Sequence, residues 1–226
     1  MKYLVLIADI DEFEPCKKSL GDIVEKEYTI KHMPAFDFTH NGHSCTAVCF
    51  GIGKVNAAMG ASIALCQGAY DGVINTGWSG AVSGVYKGDI VVSDSVVECD
   101  FDLTPIGRLP GQKPGQAEYI YNCKNALYDA AVSIEGFKHG NLGTGDFFLT
   151  DAERRNKYKE IFNISAFDME SGALGAVCYL FGNIPFVSVR KISDSADDVG
   201  VDDYQNSVKT DITAFSDIVL KILEKL

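Results

Sequence analysis

Short runs of branched apolar residues recur along the chain, and nearly every run is followed by a segment with helical spacing. The run at residues 2–8 is continuous, as expected of a strand that is covered on both faces. Residues 54–69 carry apolar side chains at helical spacing and many alanines, which predicts a helix packed closely on a sheet. Strands that alternate with helices predict an α/β fold with helices on both sides of a largely parallel sheet.

The same patterns divide the rest of the chain without an internal repeat or a linker. Residues 103–119 show neither the helical nor the strand spacing of apolar residues. They are rich in glycine and proline, which predicts a loop. A chain of 226 residues with 46% hydrophobic residues can bury one substantial core, so we expect a single domain over residues 1–226. Strands are predicted at 2–8, 43–51, 71–77, 88–98, 139–145, 164–169 and 184–193, and helices at 11–20, 54–69, 125–134, 151–162, 170–181 and 212–226.

Charge and cysteine usage exclude several classes of partner. The 20 basic and 31 acidic residues give a net charge of −11, which repels nucleic acid and anionic membranes. No cationic start precedes a long apolar run, so neither export nor membrane insertion is expected. The 7 cysteines form no C-x-x-C pair, which favours reduced thiols and a cytoplasmic location. The 4 histidines are scattered, so no metal site and no cofactor is predicted.

Charged and aromatic residues follow several of the predicted strands. In open α/β sheets ligands bind beyond the carboxyl ends of the strands, so these residues are expected to share one rim. The groups are Glu12 after the first strand, residues 51–53 and 77–80 after the next two, 146–148 and 168–170 further on, and 193–194 after the last strand.

Each of these residues also has an ordinary structural interpretation. Glu12, Glu170 and Asp194 could each be a carboxylate in the first turn of a helix, where it binds free N–H groups. The glycines of "GIGK" could form a plain turn, and the lysine is placed wrongly for a triphosphate loop. Phe147 and Phe148 could belong to the core. Three carboxylates and two aromatic rings together, however, suggest a pocket for a ring that carries hydroxyl groups.

An ordered set of motifs gives the chain a family resemblance. The motifs are "GIGKVNAA", "INTGWSGAV" followed by "GDIVVSD", "TGDFFL", "FDMES" and "VRKISDSAD". In this order they resemble the bacterial 5'-methylthioadenosine/S-adenosylhomocysteine nucleosidases of the nucleoside phosphorylase superfamily, from the first strand to about Asp197. The resemblance implies a three-layer sandwich with a mixed, largely parallel central sheet flanked by helices. It also implies a homodimer and a role in methionine salvage.

The resemblance implies a catalytic role for each of four residues. Glu12 matches the base that activates water, Asp194 the acid at the purine, and Glu170 the group that holds the ribose hydroxyls. Arg190 is expected to orient the water or Glu170, although an ordinary ion pair is an equal alternative. Asp168 is expected to be a supporting residue, paired with Arg190.

The predicted substrate contacts surround these residues. Phe148 matches the aromatic residue that stacks on the base, Leu149 the backbone that pairs with its edge, and Met169 the apolar contact under the sugar. The full predicted binding set is Ile52, Trp78, Ser79, Gly80, Phe148, Leu149, Asp168, Met169, Ser193 and Ala196.

The implied chemistry fits these residue types. The N-glycosidic bond breaks when adenine gains a proton, so Asp194 must hold a proton near neutral pH. Burial and the neighbouring Ser193 are expected to raise its pKa. Glu12 is expected to stay ionised and to accept a proton from water, while the charge of Glu170 favours the ribosyl cation. Asp194 and Glu12 together resemble the acid and base of an inverting glycosidase.

Three departures from the family pattern concern the substrate's 5' end. Trp78 stands where the family commonly has a small residue, so either Ser79 supplies the polar contact or the pocket is reshaped. Asp9 stands where a methionine is common. The loop at residues 102–115 looks shorter than usual, in the region where the family builds its 5' pocket and where a partner subunit contributes. Methylthio, homocysteinyl, deoxy and aminodeoxyfutalosine groups all stay open.

Two rival functions are also open from the sequence. A purine nucleoside phosphorylase would use phosphate as the nucleophile and would need arginines at the anion site. The chain has Asn75 where the phosphorolytic members of the superfamily have an arginine. The carboxylate of Glu12 would also repel phosphate. A non-catalytic nucleoside-binding protein would have no use for an acid at position 194. Hydrolysis of 5'-modified adenosines, with a small nucleoside as the ligand, is therefore the favoured function.

Overall fold

The structure is a computed structural model that describes residues 1–196, 200–210 and 214–226. The strands are β1 (Lys2–Ile7), β2 (Val24–Ile30), β3 (Met33–His40), β4 (His43–Cys49), β5 (Gly72–Ala81), β6 (Ile90–Glu98), β7 (Ile120–Asn122), β8 (Phe137–Thr144), β9 (Ile164–Asp168) and β10 (Phe186–Asp194). The helices are α1 (Ile10–Leu20), α2 (Lys54–Leu65), α3 (Ala126–Val132), α4 (Ala152–Phe162), α5 (Ser171–Leu180), α6 (Gly200–Thr210) and α7 (Ala214–Lys225).

All the described strands belong to one mixed sheet. Its order is β10-β6-β8-β9-β5-β1-β4-β3-β2, and β10 also pairs with β5. Strands β5, β9, β8, β6 and β10 therefore close into a ring, while β1, β4, β3 and β2 extend from β5 as an open wing. Closure removes two edges that would otherwise expose unpaired backbone groups.

The functional edge lies where β10, β5, β1 and β4 run parallel as neighbours. Ile7 at the end of β1 pairs with Cys49 of β4 on one side and with Thr76 of β5 on the other. On the far side of β5, Arg190 of β10 pairs with Gly77. The carboxyl ends of these four strands consequently face the same rim, as predicted from the sequence.

Helices cover both faces of the sheet, as the continuous apolar runs predict. Along β1, Leu4 and Leu6 point to the core under α2 and α5, while Val5 and Ile7 point to the core under α1, α3 and α7. This alternation is the period of two that a strand imposes. The alanines of α2 that face the sheet are fully buried, so that its axis can lie close to the strands. The α/β fold with helices on both sides of a mixed sheet is thus confirmed.

Four elements were not predicted from the sequence. The hairpin β2–β3 lies at the open edge, and β2 is largely exposed, so it lacks the buried run on which the other strand predictions rest. Strand β7 has only 3 residues. Helix α6 has a polar sequence with an acidic first turn. Residue Asp197, which ends the last motif, and residues 212–213 of the predicted terminal helix lie outside the described residues.

Candidate active site

A cavity of about 250 Å³ opens at the carboxyl ends of these parallel strands. All the residues predicted for the site from the sequence line it. They are Glu12, Ile52, Trp78, Ser79, Gly80, Phe148, Leu149, Asp168, Met169, Glu170, Arg190, Ser193, Asp194 and Ala196. Acidic side chains from distant parts of the polypeptide therefore meet around one cavity.

Asp168 is the organising centre of the cavity floor. It ends β9, and its Oδ1 accepts hydrogen bonds from the Thr144 hydroxyl (2.7 Å) and from the backbone N–H groups of Glu170 (3.0 Å) and Ser171 (3.0 Å). The Ser171 hydroxyl donates to Oδ2, which also pairs with Nε of Arg190 at 3.1 Å. Asp168 thus shapes the turn from β9 into α5, and the expected pairing with Arg190 is present.

Arg190 on β10 is only 1% exposed, yet its guanidinium has partners on every side. Nη2 lies 3.3 Å from Oε2 of Glu170 and donates to Oδ1 of Asn75 at 2.8 Å. Burial alone lowers the pKa of an arginine, but Asp168, Glu170 and Glu12 outweigh it, and the net pKa is raised. Arg190 therefore keeps its charge and fixes the position of Glu170.

Glu170 is held between this cation and the glycine turn after β4. Its Oε1 accepts from the Gly53 backbone N–H at 3.0 Å, and its Oε2 faces Arg190. Burial raises the pKa of Glu170, while Arg190 opposes that shift. The carboxylate is consequently rigid and lines the cavity, as a group that binds vicinal hydroxyls would need to be.

Glu12, in the first turn of α1, is the least satisfied carboxylate of the site. Its Oε1 accepts from the Trp78 backbone N–H at 3.1 Å, whereas its buried Oε2 has no hydrogen-bond partner within the described ranges. Gly77 makes room for this arrangement, because a Cβ there would lie 2.6 Å from Nη1 of Arg190 and 3.0 Å from Oε2 of Glu12. Glu12 therefore keeps one buried oxygen without a hydrogen-bond partner at the cavity wall.

The protonation of Glu12 corrects an expectation from the sequence. Burial raises the pKa of Glu12 to about 8, and the Trp78 hydrogen bond and Arg190 only partly oppose the shift. The carboxyl is therefore mostly protonated at pH 7 rather than ionised as expected. A carboxylate that forms from this group is a stronger base than an ordinary one, and its pKa lies close to working pH.

Asp194 ends β10 at the opposite side of the cavity. Its Oδ2 accepts from the Ser193 hydroxyl at 2.6 Å and its Oδ1 from the Ala196 backbone N–H at 2.8 Å. Gly80 lies against it, and a Cβ at that position would be 2.8 Å from Oδ1. Asp194 is only 2% exposed, and hydrogen bonds to both of its oxygens orient the side chain.

Aromatic rings form one wall of the cavity. Phe148 is 41% exposed and meets the ring of Tyr204 edge-on, with 5.5 Å between centroids. Phe147 instead packs on Phe167 at 5.3 Å, which gives it a largely structural role. Phe148 thus keeps a free face for a flat ligand, while Leu149 beside it is buried.

Trp78 does not fill the cavity with its ring. The indole packs edge-on against Phe215 of α7 at 5.2 Å, within the core under α1, α3 and α7. Its backbone serves the site, since the N–H binds Glu12 and the C=O accepts from Arg190 at 3.4 Å. Ser79 donates its hydroxyl to the Phe167 carbonyl at 2.8 Å. The tryptophan therefore adds core packing rather than a bulky pocket wall.

Sequence reasoning missed several residues of the cavity wall. Tyr204 lies on α6, which the sequence did not predict, so no strand-end signal pointed to it. Asp9 lies just after β1 at the functional edge and also lines the cavity, although the sequence marks it only as a departure from the family pattern. The other missed lining residues are Ala8 and Phe167, whereas Phe147 lines the cavity as its place after a predicted strand suggests. The loop at residues 102–115 does not line this cavity within the described chain.

The arrangement can carry out acid–base chemistry on a polar ligand. The buried Asp194, the unsatisfied carboxyl group of Glu12 and the fixed side chain of Glu170 line one cavity. Such a set suits a bond cleavage in which a proton is given to one fragment and taken from a nucleophile. Among the described residues, no group of three or more His, Cys, Asp or Glu side chains is arranged to hold a metal ion. No described helix is long and apolar enough to span a membrane.

The fold and site define a member of the phosphorylase superfamily, whose sequence model matches residues 2–224. A Haemophilus influenzae 5'-methylthioadenosine/S-adenosylhomocysteine nucleosidase is 33% identical, with 100% of both chains covered. The nucleosidase of that name from Geobacillus thermodenitrificans is 36% identical over 76% of each chain. The structure of S-adenosylhomocysteine nucleosidase from Streptococcus pyogenes, in complex with 5-methylthiotubericidin, has a TM-score of 0.90 at 26% identity and covers 100% of this chain and 97% of its own.

The family model and the Haemophilus influenzae relative match nearly the whole chain and not only the motifs. The chain belongs to the 5'-methylthioadenosine/S-adenosylhomocysteine nucleosidase family. The family resemblance predicted from the sequence is thereby confirmed.

Proposed function

We propose that the protein hydrolyses the N-glycosidic bond of 5'-modified adenosines and releases adenine and the 5'-modified ribose. One observation carries this proposal. Asp194, Glu170 and Glu12 line a single cavity, and each has a different set of hydrogen-bond partners. The three carboxyl groups can therefore hold different protonation states and take different roles in one reaction.

The proposed reaction assigns one step to each carboxyl group. Asp194 donates its proton to a ring nitrogen of adenine, and the electron pair of the C1'–N bond leaves with the base. Glu170 binds the ribose hydroxyls and stabilises the developing positive charge on the sugar. Water attacks C1' from the other face and loses its proton to ionised Glu12. Exchange with solvent returns both groups to their starting states.

Hydrolysis is favoured over phosphorolysis by the charges around the nucleophile. Arg190 is the one cation among the described residues that line the cavity, and two carboxylates already contact it. Asn75 is wholly buried and binds Arg190, so it adds no positive charge to an anion site. In its ionised form, Glu12 would repel a phosphate at the position of the nucleophile. Water is the nucleophile that fits such a site.

The reaction can be tested with a panel of 5'-substituted adenosines and inosine, with and without phosphate, while free base is measured. We expect adenine release that does not depend on phosphate. The variant Asp194→Asn should lower kcat by about 10³-fold, because it removes the general acid. The matched variant Asp129→Asn, at an exposed position of α3, should not. Release that requires phosphate would favour the phosphorylase, and no release from the wild type would favour a nucleoside-binding protein.

We also propose that the protein acts as a cytoplasmic homodimer. Helix α2 begins beside the cavity and carries exposed apolar side chains, with Val55 77% exposed and Met59 37% exposed. Ile106 in the loop at 102–115 is 71% exposed as well. A second copy that covers these residues could place its loop over the cavity. We expect a dimer in sedimentation experiments, and Val55→Asp should both dissociate it and raise KM.

A further inference from the structure

The cavity has a second end that the proposed reaction does not use. Successive strands lie about 4.8 Å apart, so the path from the end of β10 across β5 and β1 to β4 spans roughly 14 Å. Asp194 marks the first end, where adenine must lie to receive a proton. Asp9 and Ile52 mark the far end, because they follow β1 and β4 and both line the cavity. With Glu170 on the ribose hydroxyls, the 5' substituent of the substrate points toward this far end.

The far end carries a carboxylate with spare hydrogen-bonding capacity. Oδ1 of Asp9 accepts from the Asp11 backbone N–H at 3.1 Å and caps α1. No donor from the described part of the chain contacts its second oxygen, and the side chain is half-buried. The buried Oε2 of Glu12, one turn along the same helix, is also without a partner there. Arg190 is the one cation of the described lining, and Asp168 and Glu170 engage it.

Tyr204 completes this end from α6. Its ring edge packs against Phe148, so the phenol is held at the cavity wall. Burial raises the pKa of Tyr204, and the charges of Glu12 and Asp9 raise it further. The phenol therefore stays neutral and can donate or accept a hydrogen bond. Ala8 and Ile52 supply the apolar surface between these polar groups and the sugar.

We propose that this end selects a 5' substituent that has a short apolar linker and ends in an ammonium group. The inference rests on the proposed function and names the substrate class of the same site. Asp9 would accept a charge-assisted hydrogen bond from the ammonium group, Tyr204 would orient it, and Ala8 and Ile52 would contact the linker. A terminal carboxylate would instead meet Asp9 and Glu12, and an entirely apolar substituent would leave Asp9 desolvated without a donor.

Two substrates of equal length test the inference. In 5'-(2-aminoethylthio)-5'-deoxyadenosine the substituent ends in an ammonium group, and in 5'-propylthio-5'-deoxyadenosine it ends in a methyl group. The measured quantity is the ratio of their kcat/KM values for adenine release. We expect the wild type to favour the amine by about tenfold or more, as one hydrogen bond to a charged group would give. A 5'-(2-carboxyethylthio) analogue should be the poorest of the three.

Variants assign the preference to residues. Asp9→Asn keeps the helix cap, since asparagine caps as well as aspartate, and it should lower the ratio about tenfold. Tyr204→Phe should lower the ratio by a smaller factor. Asp11→Asn removes the same charge two residues away, outside the cavity lining, and should leave the ratio unchanged.

The outcomes separate this inference from the proposed function. A wild-type ratio near one, or a ratio that Asp9→Asn leaves unchanged, would overturn the inference while adenine release continued. An equal fall in Asp11→Asn would also overturn it, because the effect would then come from long-range charge. If the wild type released adenine from no 5'-substituted adenosine, the proposed function would fail instead.

Discussion

Two buried acids near Arg190, Asp168 and Glu12, have contrasting surroundings. Asp168 accepts three hydrogen bonds of 2.7–3.0 Å on Oδ1, and its Oδ2 contacts Ser171 and Arg190. Glu12 accepts one hydrogen bond, on Oε1, and its Oε2 has no partner in the described chain. Both side chains are more than nine-tenths buried. The difference between them therefore lies in how far the protein replaces the water that each has lost.

The contrast separates a residue that holds the site together from one that is available for reaction. A carboxylate that is fully hydrogen-bonded fixes its neighbours, and removal of Asp168 would take from the buried Arg190 its closest carboxylate. A carboxyl group that is buried without compensation destabilises the fold in its charged form, which is also the form that accepts a proton. We infer that the hydrogen bonds and ion pair around Asp168 stabilise the fold enough to offset the cost of burying Glu12.

The largest expected effect is on catalysis by Glu12→Gln. Glutamine keeps the shape and can still accept the Trp78 hydrogen bond, but it cannot take a proton from water. We expect kcat for adenine release to fall by about 10³-fold, within the range of a lost general base. Steady-state assays at pH 8 measure this, because wild-type Glu12 is about half ionised there. A loss of less than tenfold would show that another group activates the water.

The next effect is on stability, in Asp168→Asn. The substitution leaves the guanidinium of Arg190, which is 1% exposed, without its closest carboxylate. We expect the free energy of unfolding to fall by about 3 kcal/mol, as for other broken buried ion pairs. Urea unfolding followed by circular dichroism measures it. Glu12→Gln is the matched comparison, since it should not destabilise the protein, and equal losses in the two variants would contradict the contrast between the two acids.

A third variant, Gly77→Ala, probes the place where the Asp168–Arg190 network meets Glu12. The new Cβ would lie 2.6 Å from Nη1 of Arg190 and 3.0 Å from Oε2 of Glu12, so one of these groups must move. We expect kcat/KM to fall by about 30-fold, equivalent to about 2 kcal/mol, which is typical of overpacking. Gly68→Ala, where the nearest atom would be 3.4 Å away at the tip of Lys2, serves as the control. Equal activity of the two variants would show that the contact is not needed.

Much of this site could be predicted from the sequence because strand ends are local signals. Glu12 and Asp194 follow or end apolar runs of the parallel set, and parallel strands bring such positions together whatever the details of packing. Glu170 also follows an apolar run, but β9 is antiparallel to β5, so strand direction alone does not bring Glu170 to the cavity. The buried strands were predictable for the same reason. The hairpin β2–β3 was not, because β2 is exposed and its pairing with β3 is decided by tertiary context rather than by burial of its own residues.

The properties that depend on packing from distant parts of the chain were not predictable. Tyr204 reaches the cavity from a polar helix, and nothing in its local sequence indicates which way α6 docks. The indole of Trp78 has its place because Phe215, far along the chain, offers an edge contact. The pKa of Glu12 depends on how much water the surrounding elements exclude, which no local pattern encodes.

The smallest expected effect is on the pH dependence of the free energy of unfolding. This dependence reports directly on the desolvation of Glu12. Its pKa is about 8 in the folded protein and 4.5 for an ordinary glutamate, so between these values the folded state binds the extra proton. Rising pH therefore destabilises the wild type by about 1.4 kcal/mol per pH unit in this window. The amide side chain of the variant Glu12→Gln does not titrate, so rising pH does not destabilise this variant through position 12.

We expect Tm of Glu12→Gln minus Tm of the wild type to grow by about 3 °C between pH 6 and pH 7, measured by calorimetry. Glu14→Gln makes the same chemical change on the exposed face of α1, where Glu14 pairs with Lys17 at 2.9 Å, and its Tm difference should stay flat. A flat difference for Glu12→Gln as well would mean that Glu12 is solvated or paired in solution. The contrast with Asp168 would then have no electrostatic basis, because both acids would be equally compensated.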